Sequence, residues 1–116
     1  MMFVAGLLLL GHAFVHLAIW LPPYDPDRHA FDAKHSAALA SAGVDERGAR
    51  RGAVGGALAV AAAFLLAGFA TIQGEPWANE VSAGAGVLSI LLAALYFHPW
   101  LAVLVVVDLA VVILAL

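Results

Sequence analysis

Two histidines and one aspartate stand in stretches where almost every neighbour is apolar. His12 and His16 lie in G-H-A-F-V-H-L, and Asp108 lies in V-V-V-D-L-A-V. An ionisable side chain in hydrocarbon is costly, so each of the three is a default functional candidate. The four-residue step from His12 to His16 puts both imidazoles on one helix face, a turn apart. Two neutral imidazoles and a carboxylate form a ligand set used for zinc and for non-haem iron, and a single histidine can hold haem. The same groups can pass a proton, since an imidazole beside a buried carboxylate offsets the cost of its charge. They can also simply bond helices together, a contribution that averages ~0.6 kcal/mol in membrane proteins. At the level of sequence all three uses stay open.

Depth ties these residues to a fourth. His12 precedes Leu21 by nine positions and Asp108 follows Pro99 by nine. At ~1.5 Å rise per residue both fall ~13 Å below one membrane surface, near mid-bilayer. The same count back from His98 reaches Ser89, and on from Arg51 it reaches Val60. The expectation is a polar layer of His12, Ser89 and Asp108, with His16 one turn nearer the surface. His98 falls at that surface beside the loop histidines His29 and His35. Together His12, His16, Ser89 and Asp108 are the candidate cofactor-binding residues. His12, His16 and Asp108 are the candidate ligands of a divalent metal, or one histidine is a ligand of haem.

The elements that must position them follow from composition. Of 116 residues 65% are hydrophobic and 11% charged, where soluble domains are roughly half apolar. The apolar residues gather into runs at about 1–21, 51–73, 77–97 and 99–116, lengths that suit helices crossing a hydrocarbon core ~30 Å thick. The first run lacks a basic leader and is long, so it reads as a retained helix rather than a signal peptide. Pro76 and Pro99 suit first helical turns, where a missing N–H costs nothing. Trp20, Tyr24, Trp77, Tyr96 and Trp100 all fall at predicted helix ends, where amphipathic rings favour a membrane interface. The fold expected is an all-α membrane protein, a single transmembrane domain over 1–116. Its four helices form an antiparallel up-down bundle, because the last three are joined by very short connections.

All five basic residues, Arg28, Lys34, Arg47, Arg50 and Arg51, lie in or beside the loop over 22–50. The positive-inside rule makes that loop cytoplasmic and places both termini outside a cytoplasmic membrane. Within the loop the spacing predicts a short interfacial helix over 33–42, with Asp32 as N-cap and Gly43 as its stop. Asp45 and Glu46 are placed to cap the second long helix. That helix opens with Gly48, Gly52 and Gly56 beside Ala49, Ala53 and Ala57, a small-residue face for close packing within the chain or across a dimer. Ser82 and Gly86 make a weaker version on the third helix.

Several chemistries drop out. With no cysteine there is no disulfide, thiolate nucleophile or cysteine-held cluster. A net charge of −3 with no basic track gives nucleic acid nothing to follow. No serine has a matched base and acid at readable spacing. The stretch D-P-D-R-H-A-F-D-A-K-H could attract a cation, although such mixtures also belong to ordinary solvated loops. The histidines are too few for a membrane di-iron oxygenase, and the mid-helix carboxylate sits on the last helix rather than the first, unlike a small multidrug transporter. The first helix, G-L-L-L-L-G-H-A-F-V-H-L, resembles the opening helix of small four-helix DoxX-like membrane proteins, partners of membrane oxidoreductases. The resemblance is confined to that helix and breaks where His16 replaces a basic residue, so it assigns no family. The expected role is an oligomeric or accessory membrane subunit among lipids, with an intramembrane His/Asp site. A small proton-coupled transporter using Asp108 and His12, or an enzyme on a lipid-soluble substrate, are the alternatives.

Overall fold

The computed structural model describes residues 1–28 and 31–116. Its helices are α1 (Met2–Trp20), α2 (Ala37–Ser41), α3 (Glu46–Gln73), α4 (Ala78–Leu95) and α5 (Ala102–Ala115), the last preceded by a 3-10 turn, Pro99–Leu101. No strand occurs among the described residues. By length and composition α1, α3 and α4 are each apolar enough to cross a membrane, and Pro99–Ala115 forms a shorter apolar helix.

Local chemistry sets the ends. Asp45 accepts a hydrogen bond from the Gly48 N–H at 2.7 Å, and Glu46 occupies the first turn. The helix therefore starts before residue 51, because both carboxylates favour the positive end of its dipole. Gly74 ends α3 at φ 70°, a left-handed conformation in which its N–H reaches the Ala70 and Thr71 carbonyls, as a glycine stop does. His98 caps the turn before α5 by accepting from the Trp100 N–H at 3.0 Å, and Pro99 follows in a position needing no donor.

The loop helix α2 is shorter than the expected 33–42 and has a different cap. Ser36 accepts from the Leu39 N–H at 3.2 Å and donates to the Leu95 carbonyl at 2.6 Å. That second bond anchors the start of α2 to the end of α4 and fixes where the helix begins. Asp32 instead accepts from the Lys34 N–H at 3.0 Å and lies 3.4 Å from His35 Nδ1. Gly43 does take the left-handed conformation of a stop, φ 84°. His29, one of the loop histidines considered for cation binding, lies outside the described residues.

The long helices pack in a row, α1 on α3, α3 on α4 and α4 on α5. Each contact has a small-residue approach. A Cβ on Gly6 would stand 2.7 Å from the Gly68 carbonyl oxygen, and one on Gly68 would stand 2.9 Å from that of Gly6, so α1 and α3 touch backbone to backbone. At the other end of α1, Arg50 donates to the Trp20 carbonyl at 2.6 Å and also to that of Leu21. It thereby satisfies carbonyls that the helix end leaves free. Gly52 and Gly56 face Tyr96 and Leu92, and the Tyr96 hydroxyl donates to the Ala49 carbonyl, so the α3 glycine face packs against α4 within the chain. Gly86 lets α4 approach the α5 backbone at Asp108 and Val112.

The aromatic expectation needs correcting in part. Tyr24, Trp77 and Trp100 are exposed, but Trp20 and Tyr96 are fully buried. Phe31 folds inward from the loop, edge-on to Trp20 at 4.9 Å and stacked on Trp100 at 6.2 Å. Trp20 in turn meets Tyr96 at 5.4 Å. The loop thus roofs this end of the helices, and rings that would otherwise face an interface become core.

Candidate functional site

His12, His16, Ser89 and Asp108 come together as one cluster drawn from α1, α4 and α5. His12 Nε2 lies 2.7 Å from Asp108 Oδ1. The Ser89 hydroxyl donates to Asp108 Oδ2 at 2.5 Å and stands 3.1 Å from His16 Nε2. Its one proton is directed to the carboxylate, so in that contact His16 Nε2 is the donor and the serine oxygen accepts. By the same reasoning His12 Nε2 carries the proton it gives to Asp108. The carboxylate accepts at both oxygens, and His16 reaches it through Ser89 as well as lying 3.8 Å from Oδ1.

Burial grades the members. Asp108 and His16 have no exposed side-chain surface, whereas His12 retains 10%. Phe64 of α3 fills the remaining side, edge-on to His12 at 4.7 Å and stacked on His16 at 5.5 Å. The two imidazoles are edge-on to each other at 4.8 Å. His16 Nδ1 is buried with no hydrogen-bond partner among the described residues, a costly condition for a polar atom.

Helix geometry explains the assembly. Four-residue spacing sets both imidazoles on one face of α1. Gly86, one turn before Ser89 on α4, removes the side chain that would hold α5 away, so the serine hydroxyl reaches Asp108. The equal-depth count places His12, Ser89 and Asp108 correctly at one level. It leaves His16 a turn away, whereas the structure joins His16 to the layer through Ser89. On α3 it is Phe64, one turn beyond the Val60 that the count reaches, whose ring packs against both imidazoles. No sequence signal marks Phe64 beyond its position one turn further along.

The row of helices leaves α1 and α5 facing each other with little between them but this cluster. A cleft of about 660 Å³ on one side of it is walled by His12, Leu8, Gly11, Val107, Val111 and others, with Thr71 and Asn79 also on its wall. A second, of about 430 Å³, runs by Ile19, Trp100 and Leu104. His12, Val15 and Val107 line both, so His12 stands where the two meet. Of the cluster, it alone borders them.

The cluster also has the composition of a cation site. Ligating atoms of His12, His16 and Asp108 all lie within 4.8 Å of one another. A tetrahedral ion with bonds of ~2.1 Å sets its ligands about 3.4 Å apart. The observed Nε2 to Oδ1 separations of 2.7 and 3.8 Å bracket that value. In comparisons with protein-family models, curated proteins and solved structures, nothing matched this chain.

Proposed function

We propose that this chain is an integral membrane protein whose four long helices form an antiparallel bundle, and that the His12/Asp108 pair is its working centre. In this reading the pair exchanges a proton with a molecule that arrives from within the membrane along the α1/α5 clefts. The observation that carries it is the double position of His12, hydrogen-bonded at 2.7 Å to a fully buried carboxylate while lining both clefts. Through that imidazole, Asp108 has a route to a ligand it does not itself touch, and Ser89 and His16 supply further donors to hold its charge. The role proposed with this centre is that of a subunit of a homo-oligomer or of a larger membrane assembly.

The test is infrared difference spectroscopy on proteoliposomes stepped from acid to alkaline pH. A carboxyl C=O change is expected that disappears in Asp108→Asn and moves in frequency in Ser89→Ala and His12→Ala, because both remove a hydrogen bond to that group. An Asp108 band that stays constant across the range would overturn the proposal.

A second reading, a divalent metal centre, is favoured by the compact His12, His16 and Asp108 ligand set. It predicts close to one zinc or iron per chain by elemental analysis after purification without chelator, lost in Asp108→Asn and His16→Ala alike. Metal at trace level in the unmutated protein excludes it.

The orientation proposed is both termini outside and the 22–50 loop in the cytoplasm, on the strength of the five basic residues in or beside that loop. The chain has no cysteine, so single cysteines report cleanly. An impermeant thiol reagent added to intact cells is expected to label a cysteine at Gly74 and spare one at Lys34. The opposite pattern would invert the topology.

A further inference from the structure

The occupant of the α1/α5 furrow is constrained by the hydrogen-bonding state of His12. Its Nε2 is committed as donor to Asp108, and its ring makes no other hydrogen bond to a described residue. A neutral imidazole with its proton on Nε2 has a bare lone pair on Nδ1. The group that completes it is a donor, an O–H, rather than a carbonyl. An anionic ligand is disfavoured twice over, because the walls are mainly aliphatic and the site already holds a buried carboxylate, and an organic cation is disfavoured by the aliphatic walls. The larger cleft, about 660 Å³, falls within the range of roughly 300–1,000 Å³ typical of small-molecule sites. Its continuation past Val15 and Val107 into the second cleft leaves room for an elongated body on either side of the histidine.

We infer that the furrow binds a neutral, membrane-dissolved molecule with an apolar body and a hydroxyl head of the phenol type, the hydroxyl donating to His12 Nδ1. This rests on the proton-exchange reading of the His12/Asp108 pair and adds the ligand class. A phenolic head matches the site because it is neutral, donates to the Nδ1 lone pair, and continues into an apolar body that the mainly aliphatic walls accept.

The experiment uses the full chain in nanodiscs, with para-nonylphenol and its methyl ether compared by native mass spectrometry. The two share size and apolar body and differ in the donor. One nonylphenol per chain is expected, with the ether at least tenfold weaker. Ala110→Trp, which fills the larger cleft from its α5 wall, is expected to abolish binding. Equal binding of phenol and ether overturns the inference, as does a non-saturating series of bound copies or preference for a matched aryl ketone. The comparison with the ether needs no variant, so misfolding of Ala110→Trp leaves the test intact. The infrared change of the unmutated protein is read in the same discs. If it is present while nonylphenol does not bind, only the ligand assignment falls; if it is absent, the reading beneath it falls too.

Discussion

Asp108→Leu is expected to lower stability in detergent by about 2–4 kcal/mol, because it takes the acceptor from His12 and Ser89 at once and leaves their donors buried. Asp108→Asn is expected to cost only about 1 kcal/mol. Its carbonyl can accept from Ser89, and its amide can donate to His12 Nε2 once that ring moves its proton to Nδ1. The distance of 2.7 Å between His12 and Asp108 makes a further demand. In a double-mutant cycle of His12→Ala with Asp108→Leu, the losses should fall short of additive by more than ~0.5 kcal/mol, the margin within which independent sites add. Thermal denaturation of the four purified proteins measures this. If Asn proves as damaging as Leu, the site needs the carboxylate's charge and the hydrogen-bond account fails. Strict additivity would show that the contact carries no energy of its own.

The cluster was legible in the sequence because ionisable residues are conspicuous in apolar runs. His12, His16 and Asp108 are ionisable groups deep inside the apolar runs, and counting from the proline and loop boundaries brought Ser89 to the level of His12 and Asp108. The part that counting missed depends on lateral packing. Whether His16 joins the layer is decided by how close α4 comes to α1 and α5, and Gly86 sets that distance on the α5 side. Hydropathy says nothing about it. Phe64 was invisible for the same reason, since any apolar residue on that face of α3 satisfies the composition. The loop failed differently. Asp32 has the chemistry of a cap, but Ser36 holds the position because its hydroxyl also reaches the Leu95 carbonyl, a contact 59 residues away in sequence. The burial of Trp20 and Tyr96 was likewise unreadable, because an aromatic residue at a helix end is the pattern of an interface until a loop residue such as Phe31 is known to cover it.

Close packing gives the second large effect and reverses an order that the sequence suggests. The run Gly48, Gly52 and Gly56 draws attention to α3's first half, and Gly56→Leu does introduce overlap, with a Cβ standing 2.6 Å from Leu92 Cδ1. That neighbour is the far end of a flexible side chain, which can change rotamer. At Gly68 a Cβ would meet the Gly6 carbonyl oxygen at 2.9 Å and Leu10 Cγ at 2.7 Å. The Gly6 carbonyl cannot yield without moving α1 itself, and Leu10 Cγ, one bond from its Cβ, can yield only by a change of χ1. On the proposed membrane placement, helix association rests on close van der Waals approach and not on burial, so forcing α1 off α3 removes what holds it and pulls His12 and His16 away from Asp108 and Ser89. Gly68→Leu is therefore expected to cost more than 3 kcal/mol, and Gly56→Leu about 1–2 kcal/mol, the range of a repackable overlap. Gly68→Ala should already be measurably damaging, because the clash begins at Cβ. Thermal stability of the three variants in one detergent decides the order. A Gly68→Leu protein as stable as Gly56→Leu would mean that the Gly6 to Gly68 crossing is not the contact that seats the histidine helix.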